Sequence, residues 1–145
     1  ELKLGVLPVE IEFAGGAVRR VVMTQGAFEP GEIIEDESQI ARLAAGLGLE
    51  PLDLAADSGL PVQAVSTGIT ALAVPVRSLE ALARCRINSS LLAEAYLAVG
   101  AIGCCAFALE TVEPASGVHA RFFAPDDGIN EDPATGSAAG SLSAY

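Results

Sequence analysis

Apolar and polar side chains alternate along the first two dozen residues in the manner of a β-hairpin. Val9, Ile11 and Phe13 fall on one face of an extended segment, because successive side chains of a strand point to opposite faces. Ala14, Gly15 and Gly16 follow as a turn, and a second apolar run comes after them. The pattern predicts antiparallel strands over residues 6–13 and 18–24.

Helical spacing replaces this alternation further along the chain. Ile40, Leu43, Ala44 and Leu47 recur at intervals of three and four residues, with glycines closing the run. Ser78 has the chemistry of an N-cap, because its hydroxyl can accept from a free amide of the first turn. The spacing predicts helices over residues 38–47, 79–84 and 90–98.

Short apolar runs bounded by turn residues predict the remaining strands. These strands cover residues 62–66, 69–76, 102–110 and 118–123. Proline, glycine and acidic residues indicate loops over 28–37 and 51–61, and a turn over 113–117. Strands dominate, with helices between some of them, so the predicted class is α+β with a mixed sheet.

Composition excludes several classes of partner. The chain has 145 residues, 51% of them apolar and 19% charged, which is typical of one globular domain. Its net charge of -11 and its lack of a Lys or Arg cluster argue against binding nucleic acid or an anionic membrane. The uncharged run over 95–109 is too short for a membrane helix of roughly 20 residues, and we interpret it as a helix end passing into a buried strand. Residues 1–4 lack the features of a secretory signal, so a cytoplasmic location is expected.

The three cysteines predict neither a disulfide framework nor a zinc site. They are Cys85 and the adjacent pair Cys104 and Cys105, an odd number with unsuitable spacing. In a strand, the adjacent pair would point to opposite faces. Buried free thiols are therefore expected.

The richest chemistry lies near the end of the chain, where residues 131–140 read Glu-Asp-Pro-Ala-Thr-Gly-Ser-Ala-Ala-Gly. A helix N-terminus offers unpaired amides and a partial positive charge, so a turn of this kind can hold a substrate carboxylate. Asp132 is then placed to assist a proton transfer on the bound molecule. The pattern alone also fits a second interpretation, in which Asp132 caps a helix whose first residue is Pro133.

Gly136 and Ser137 are the candidate substrate-binding residues of this turn. Glycine lets a backbone approach a ligand closely, and the Ser137 amide and hydroxyl can donate to a carboxylate. Thr135 is a third substrate-binding candidate, with a structural role favoured for its side chain. The alternative is that Gly136 serves helix packing and the hydroxyls only cap. The spacing of Gly136 and Gly140 resembles a membrane dimer motif, but no apolar span of 20 residues contains it.

Other polar residues give weaker signals. Asp126, Asp127, Glu131 and Asp132 form an acidic patch whose spacing does not match a calcium loop, and Glu131 is interpreted as a solvated or supporting acid. His119 is interpreted as a structural strand residue. The glycines near residue 47 lack the dinucleotide-binding pattern. We expect no metal and no cofactor.

The residues closely resemble the signature of the phenazine-biosynthesis PhzF-like family. The specific matches are Phe123-Ala124-Pro125, Asp127-Gly128-Ile129 and the Glu-Asp-Pro-Ala-Thr-Gly-Ser-Ala run of residues 131–138. Segments at 5–9, 65–68 and 79–82 are also similar to their counterparts, so the resemblance covers nearly the whole chain.

This resemblance implies the fold of diaminopimelate epimerase. In that fold, two pseudo-symmetric α+β halves each wrap a sheet around a central helix, and the active site lies between the halves. Residues 1–145 would then be a single incomplete domain. They would hold the end of the first half and most of the second, up to a central helix that begins near Pro133. The family's catalytic glutamate and its histidine would lie upstream of Glu1.

The resemblance also implies a cofactor-independent isomerase or epimerase. Its reaction is proton abstraction and return on a small carboxylate-bearing amino or hydroxy compound, with Asp132 assisting. Thiol-based racemisation is disfavoured, because no cysteine lies in the 131–140 turn. A homodimer is expected. Two alternatives are a non-catalytic binding protein on the same scaffold and an inert truncated product that self-associates.

Overall fold

The computed structural model describes residues 6–54 and 59–145, which form two sheets and four helices. The strands are β1 (Val9–Ala14), β2 (Ala17–Met23), β3 (Glu29–Ile34), β4 (Val62–Ser66), β5 (Thr70–Pro75), β6 (Cys104–Ala108), β7 (His119–Ala124) and β8 (Ile129–Asp132). The helices are α1 (Glu37–Leu47), α2 (Leu79–Arg84), α3 (Ser89–Leu97) and α4 (Gly136–Ala144). This arrangement confirms the predicted α+β class.

The predicted hairpin is present as a separate two-stranded sheet of β1 and β2. Gly15 and Gly16 form its turn with φ of 59° and 82°, a left-handed pair that suits the twist of a tight hairpin. Val9 pairs with Met23, and Ile11 pairs with Val21. These apolar side chains therefore share one face of the hairpin.

The other six strands form one mixed sheet in the order β3-β4-β5-β6-β7-β8. All neighbours are antiparallel except β5 and β6. A parallel pair needs a crossover connection, and α2 and α3 lie in the segment that joins these two strands. The four central strands match the predicted strand segments.

Each face of this sheet has its own apolar core. Helices α1, α2 and α3 contribute to the first core, with Leu43, Leu82 and Leu92 fully buried. Helix α4 packs on the opposite face through Ala138 and Leu142. Cys104 belongs to the first core and Cys105 to the second, and both are free thiols. The predicted placement of this pair on opposite faces is confirmed.

The caps of the helices explain their bounds. Asp36 accepts hydrogen bonds from the amides of Ser38 and Gln39 at the start of α1, and Gly48 ends the helix with φ of 71°. The predicted cap of α2 is confirmed, because the Ser78 hydroxyl accepts from the amide of Ala81.

Two strands were absent from the sequence prediction. Residues 28–37 were expected to form a loop, yet β3 occupies most of them as an edge strand. Pro30 is tolerated there because an edge strand does not need every amide for pairing, and the register shifts between Pro30 and Ile33. Strand β8 is short, largely exposed and acidic, so no apolar alternation marks it.

The expected loop over 51–61 begins with a turn of 3₁₀ helix at Pro51–Asp53, while residues 55–58 lie outside the described part. Residues 1–4, considered above for a secretory signal, also lie outside it. Among the described residues, no helix combines the length and apolar character needed to cross a membrane.

Candidate active site

The 131–140 motif lies where β8 leaves the sheet and α4 begins. Buried Phe122 and Phe123 hold β7 inside the sheet. A 3₁₀ turn at Pro125–Asp127 then reverses the chain, and Phe122 pairs with Asp132 across β7 and β8. Asp132 is therefore the last residue of an edge strand, and helix α4 starts four residues later.

Asp132 is half-buried and bonded to its own turn. One carboxylate oxygen accepts from the Ala134 amide at 3.3 Å, and the other accepts from the Thr135 hydroxyl at 2.5 Å. This geometry corrects the capping alternative, because Thr135 rather than Asp132 is the N-cap and Gly136 rather than Pro133 is the first helical residue. Proline at 133 ends the strand, since it has no amide with which to continue the ladder.

The N-terminus of α4 has no side-chain cap. Thr135 occupies the capping position, but its hydroxyl is committed to Asp132. The amides of residues 136–138 consequently donate to no other residue within the described ranges. A methyl group at Gly136 would meet no heavy atom within 4 Å, so space is open beside these amides. They form the positive end of the helix dipole.

A cavity of about 610 Å³ lies beside this turn. Its walls come from β6, β7, the β6–β7 connection, the 132–135 turn and one face of α4. The lining residues are Cys105, Ser116, Gly117, Val118, Ala120, Phe122, Asp132, Pro133, Ala134, Thr135, Ala138, Ala139, Leu142 and Ser143. The structure thus brings Asp132 and Thr135 to the cavity.

Gly136 and Ser137 do not line this cavity. They lie on another side of the first turn of α4, where Gly136 is exposed and Ser137 is half-buried. Ala138 joins the two regions, because its side chain lines the cavity and its amide belongs to the uncapped end of the helix.

Arg121 supports the motif from the other face of the sheet, and sequence reasoning missed it. Its guanidinium donates to the Glu131 carboxylate at 2.7 and 2.8 Å and to the backbone oxygen of Leu82 at 2.9 Å. It also lies 5.1 Å from the centre of the Phe123 ring. In the sequence, the one indication of this role is that Arg121 is the only Arg or Lys residue of the predicted 118–123 strand.

This ion pair gives Glu131 a supporting function. The Arg121 hydrogen bond lowers the pKa of Glu131, and the same bond raises the pKa of Arg121. Because Glu131 faces the helical layer, the next residue, Asp132, faces the cavity side of the strand. The interpretation of Glu131 as a supporting acid agrees with this contact.

Cys105 contributes an apolar wall to the cavity. Burial raises its pKa to about 12, so the thiol is protonated at neutral pH. A reactive thiol requires the thiolate. Cys105 is therefore poorly suited to act as one of a pair of catalytic thiols.

Other polar residues lie elsewhere. At the β4–β5 turn, the Ser66 hydroxyl accepts from the Gly68 amide at 3.0 Å and so stabilises its own turn. His119 begins β7 opposite Ala108 and does not line the cavity. No cluster of three potential metal ligands occurs within residues 6–54 and 59–145.

Comparison with known proteins identifies the family. The model of the family described as phenazine biosynthesis-like protein matches residues 1–145. The chain belongs to this phenazine biosynthesis-like family. It is similar to an uncharacterized isomerase of Clostridium acetobutylicum, with 34% identity over 141 residues that cover 97% of this chain and 45% of the relative. The chain thus spans about half the length of this curated relative.

Solved structures of similar sequence have a similar fold. A PhzF-family phenazine biosynthesis protein of Bacillus anthracis matches with a TM-score of 0.82 and 31% identity, covering 99% of this chain and 46% of the other. A predicted epimerase of Pseudomonas aeruginosa matches with a TM-score of 0.64 and 36% identity, covering 85% and 39%. The expected resemblance to the phenazine-biosynthesis family is confirmed.

Proposed function

We propose that this chain is the substrate-anchoring part of a cofactor-independent isomerase. The reaction is proton abstraction and return on a small carboxylate-bearing amino or hydroxy compound. One observation carries the proposal: the uncapped N-terminus of α4 begins four residues after Asp132, and its residue Ala138 lines the same cavity of about 610 Å³ as Asp132 does. The isomerase name of the Clostridium acetobutylicum relative supports the reaction class.

In this mechanism the substrate carboxylate binds to the amides of residues 136–138. Backbone amides at a helix N-terminus favour an anion without any charged side chain. The Ser137 hydroxyl adds a donor, and the open space at Gly136 lets the ligand approach the backbone. Thr135 acts indirectly, because its bond to Asp132 keeps its hydroxyl away from the helix end.

Asp132 then acts on the reacting part of the substrate. Its carboxylate accepts a hydrogen bond from an amino or hydroxy group and orients the carbon that loses its proton. The proton moves to a general base in the remainder of the parent protein, which the family resemblance gives as a glutamate. The base exchanges its proton with solvent, and a proton is then delivered to another carbon or to the opposite face of the substrate, which completes the isomerisation.

Isotope exchange in the full-length parent protein tests this role. Proton abstraction and return in heavy water places deuterium on a substrate carbon, so mass spectrometry can screen small amino and hydroxy acids for turnover. Asp132→Ala should reduce the exchange rate by roughly 10²-fold or more, the usual contribution of acid–base assistance. Glu32→Gln is the control, because this acid lies on the exposed edge strand β3. Unchanged exchange in Asp132→Ala would reject the proposal.

A non-catalytic binding protein is the second candidate. It is favoured by the Asp132 carboxylate, since both oxygens already accept hydrogen bonds within their own turn. Such a protein would bind a small carboxylate at the end of α4 without exchanging any substrate hydrogen. Binding without isotope exchange in the parent protein, and no glutamate at the family position, would favour this candidate.

A further inference from the structure

Gln25 connects the segment after the hairpin to the candidate site. Its side-chain nitrogen donates to the backbone oxygen of Gly136 at 3.1 Å, and its side-chain oxygen accepts from the Thr67 hydroxyl. The next residue, Gly26, donates its amide to the Thr67 backbone oxygen at 2.9 Å. Backbone and side chain together therefore hold Gln25 between the β4–β5 turn and the first turn of α4.

Gly140 makes room for this side chain. A methyl group built on Gly140 would overlap all three terminal atoms of the Gln25 side chain. Gly136 differs, because a methyl group there would meet nothing within 4 Å. The two glycines stand one helical turn apart, so Gly136 offers its carbonyl to Gln25 while Gly140 leaves the space in which Gln25 lies. This contact accounts for a glycine spacing that resembles a membrane dimer motif.

Both partners of Gln25 are fixed parts of the fold. Thr67 is 9% exposed and follows directly from β4. The Gly136 carbonyl belongs to the same first turn as the free amides of residues 136–138. A hydrogen bond to that carbonyl therefore restrains the direction in which the amides point.

We propose that Gln25 is a positioning residue of the candidate site: it holds the first turn of α4 against the β4–β5 turn and so fixes the anion-binding amides. This inference rests on the proposed function. Its physical basis is that displacement of a binding group by about 1 Å can cost 10²-fold in activity. An amide side chain is required, because the Gly136 carbonyl needs a donor and the Thr67 hydroxyl needs an acceptor.

A double-mutant cycle tests the contact between Gln25 and Gly140. In the full-length parent, Gly140→Ala alone should lower the melting temperature, because the new methyl group displaces Gln25. In the Gln25→Ala background the same substitution should raise it, since the space is vacant and alanine favours helix more than glycine does. If Gly140→Ala changes the melting temperature equally in both backgrounds, the proposed contact between Gln25 and Gly140 is refuted.

A second measurement tests positioning separately from stability. Benzoate serves as the carboxylate probe, titrated while the amide resonances of residues 136–138 are followed by NMR. Gln25→Ala and Gln25→Glu should each weaken benzoate binding about tenfold, because glutamate cannot donate to the Gly136 carbonyl when ionised. Gln63→Ala is the matched control, since Gln63 of β4 makes an equivalent 3.1 Å bond to the Gly31 carbonyl of β3 and contacts neither Thr67 nor Gly136.

The outcomes separate the two proposals. Equal benzoate affinities in Gln25→Ala and Gln63→Ala would overturn the positioning role, even if Asp132→Ala abolishes isotope exchange. Shifts at these amides that weaken in Gln25→Ala would support it, even if Asp132→Ala leaves exchange unchanged. In that case the proposed reaction fails and the anchoring of a carboxylate by Gln25 and α4 stands.

Discussion

At the residue scale, Arg121 joins three elements with one side chain. It pairs with Glu131 of β8, donates to the Leu82 oxygen of α2 and stacks over Phe123 of its own strand. Its side chain is only 20% exposed, so most of its charge is compensated inside the protein. Removing it would leave the Glu131 carboxylate without its donor and the Leu82 oxygen with the Cys85 amide alone, at 3.3 Å. The net loss per hydrogen bond is about 0.5–1.5 kcal/mol.

The loss of stability at acidic pH should depend on the ion pair between Arg121 and Glu131. The pKa of Glu131 is lowered by its Arg121 hydrogen bond, so the folded state binds its proton less readily than the unfolded state. The resulting stability is present above the ordinary pKa of 4.5 and is lost as pH falls through the lowered value. Glu131 is 44% exposed, and solvent screening keeps the contribution near about 1 kcal/mol or below.

Urea denaturation of the parent protein at several pH values measures this contribution to the free energy of unfolding. Glu131→Gln should be less stable than the unsubstituted protein at neutral pH, and the difference should shrink as pH falls to about 3. Glu12→Gln provides the control, because Glu12 lies 3.8 Å from Arg20 in an exposed pair that should contribute little. A difference that stays constant with pH would contradict the assignment.

At the element scale, the sequence predicted the strands and helices that bury an apolar face, and it did not predict the two edge strands of the large sheet. The central strands β4 to β7 and helices α1 to α3 have apolar side chains at regular spacing, which a single sequence can reveal. Edge strands β3 and β8 are mostly exposed and contain Pro30 or acidic residues. Their strand conformation depends on a neighbour distant in sequence, so the local pattern does not encode it.

The same distinction applies to the candidate site. Asp132 and Thr135 could be proposed because their motif is contiguous. The contacts of Arg121 could not be predicted, since its partners Leu82 and Glu131 approach it only after folding. Helix α4 also begins at Gly136 and not near Pro133 as predicted, and the Thr135 hydroxyl binds Asp132 instead of capping this helix. Side-chain competition of this kind is set by three-dimensional contacts rather than by spacing.

Two glycines at element ends provide a comparison of strain with steric overlap. Gly48 and Gly128 have φ of 71° and 78°, and alanine at either position should cost about 1 kcal/mol for the left-handed backbone. At Gly48 a methyl group would also overlap the backbone oxygen of Arg86, whereas at Gly128 it would meet nothing within 4 Å. Gly48→Ala should therefore destabilise by about 1–3 kcal/mol more than Gly128→Ala in thermal unfolding. Equal losses would mean that Arg86 moves aside at no cost.

At the scale of the whole molecule, the hairpin has an apolar face with no cover among the described residues. Six side chains of this face are between 49% and 66% exposed. They are Val9, Ile11, Phe13, Val18, Val21 and Met23. A two-stranded hairpin is marginal in water without further packing. Contiguous apolar surface of this kind promotes association.

The 145-residue chain alone should consequently self-associate through the hairpin. Ile11→Lys combined with Val21→Glu should shift it toward monomer, because the two positions pair across the strands and the new charges attract each other. Light scattering at several concentrations measures the mass. Glu10→Gln, an exposed change at a neighbouring strand position, should leave it unaltered. A monomeric unsubstituted chain at high concentration would refute this expectation.

Cys104 and Cys105 stand side by side, yet each thiol is buried in a different core of the same sheet. A reagent that alkylates thiols can approach Cys104 only from the three-helix side and Cys105 only from the α4 side. Both residues would leave a protease digest on one peptide, where tandem mass spectrometry distinguishes which of them carries the label. The rates at which these two adjacent residues are labelled therefore report, in one experiment, how fast each layer opens.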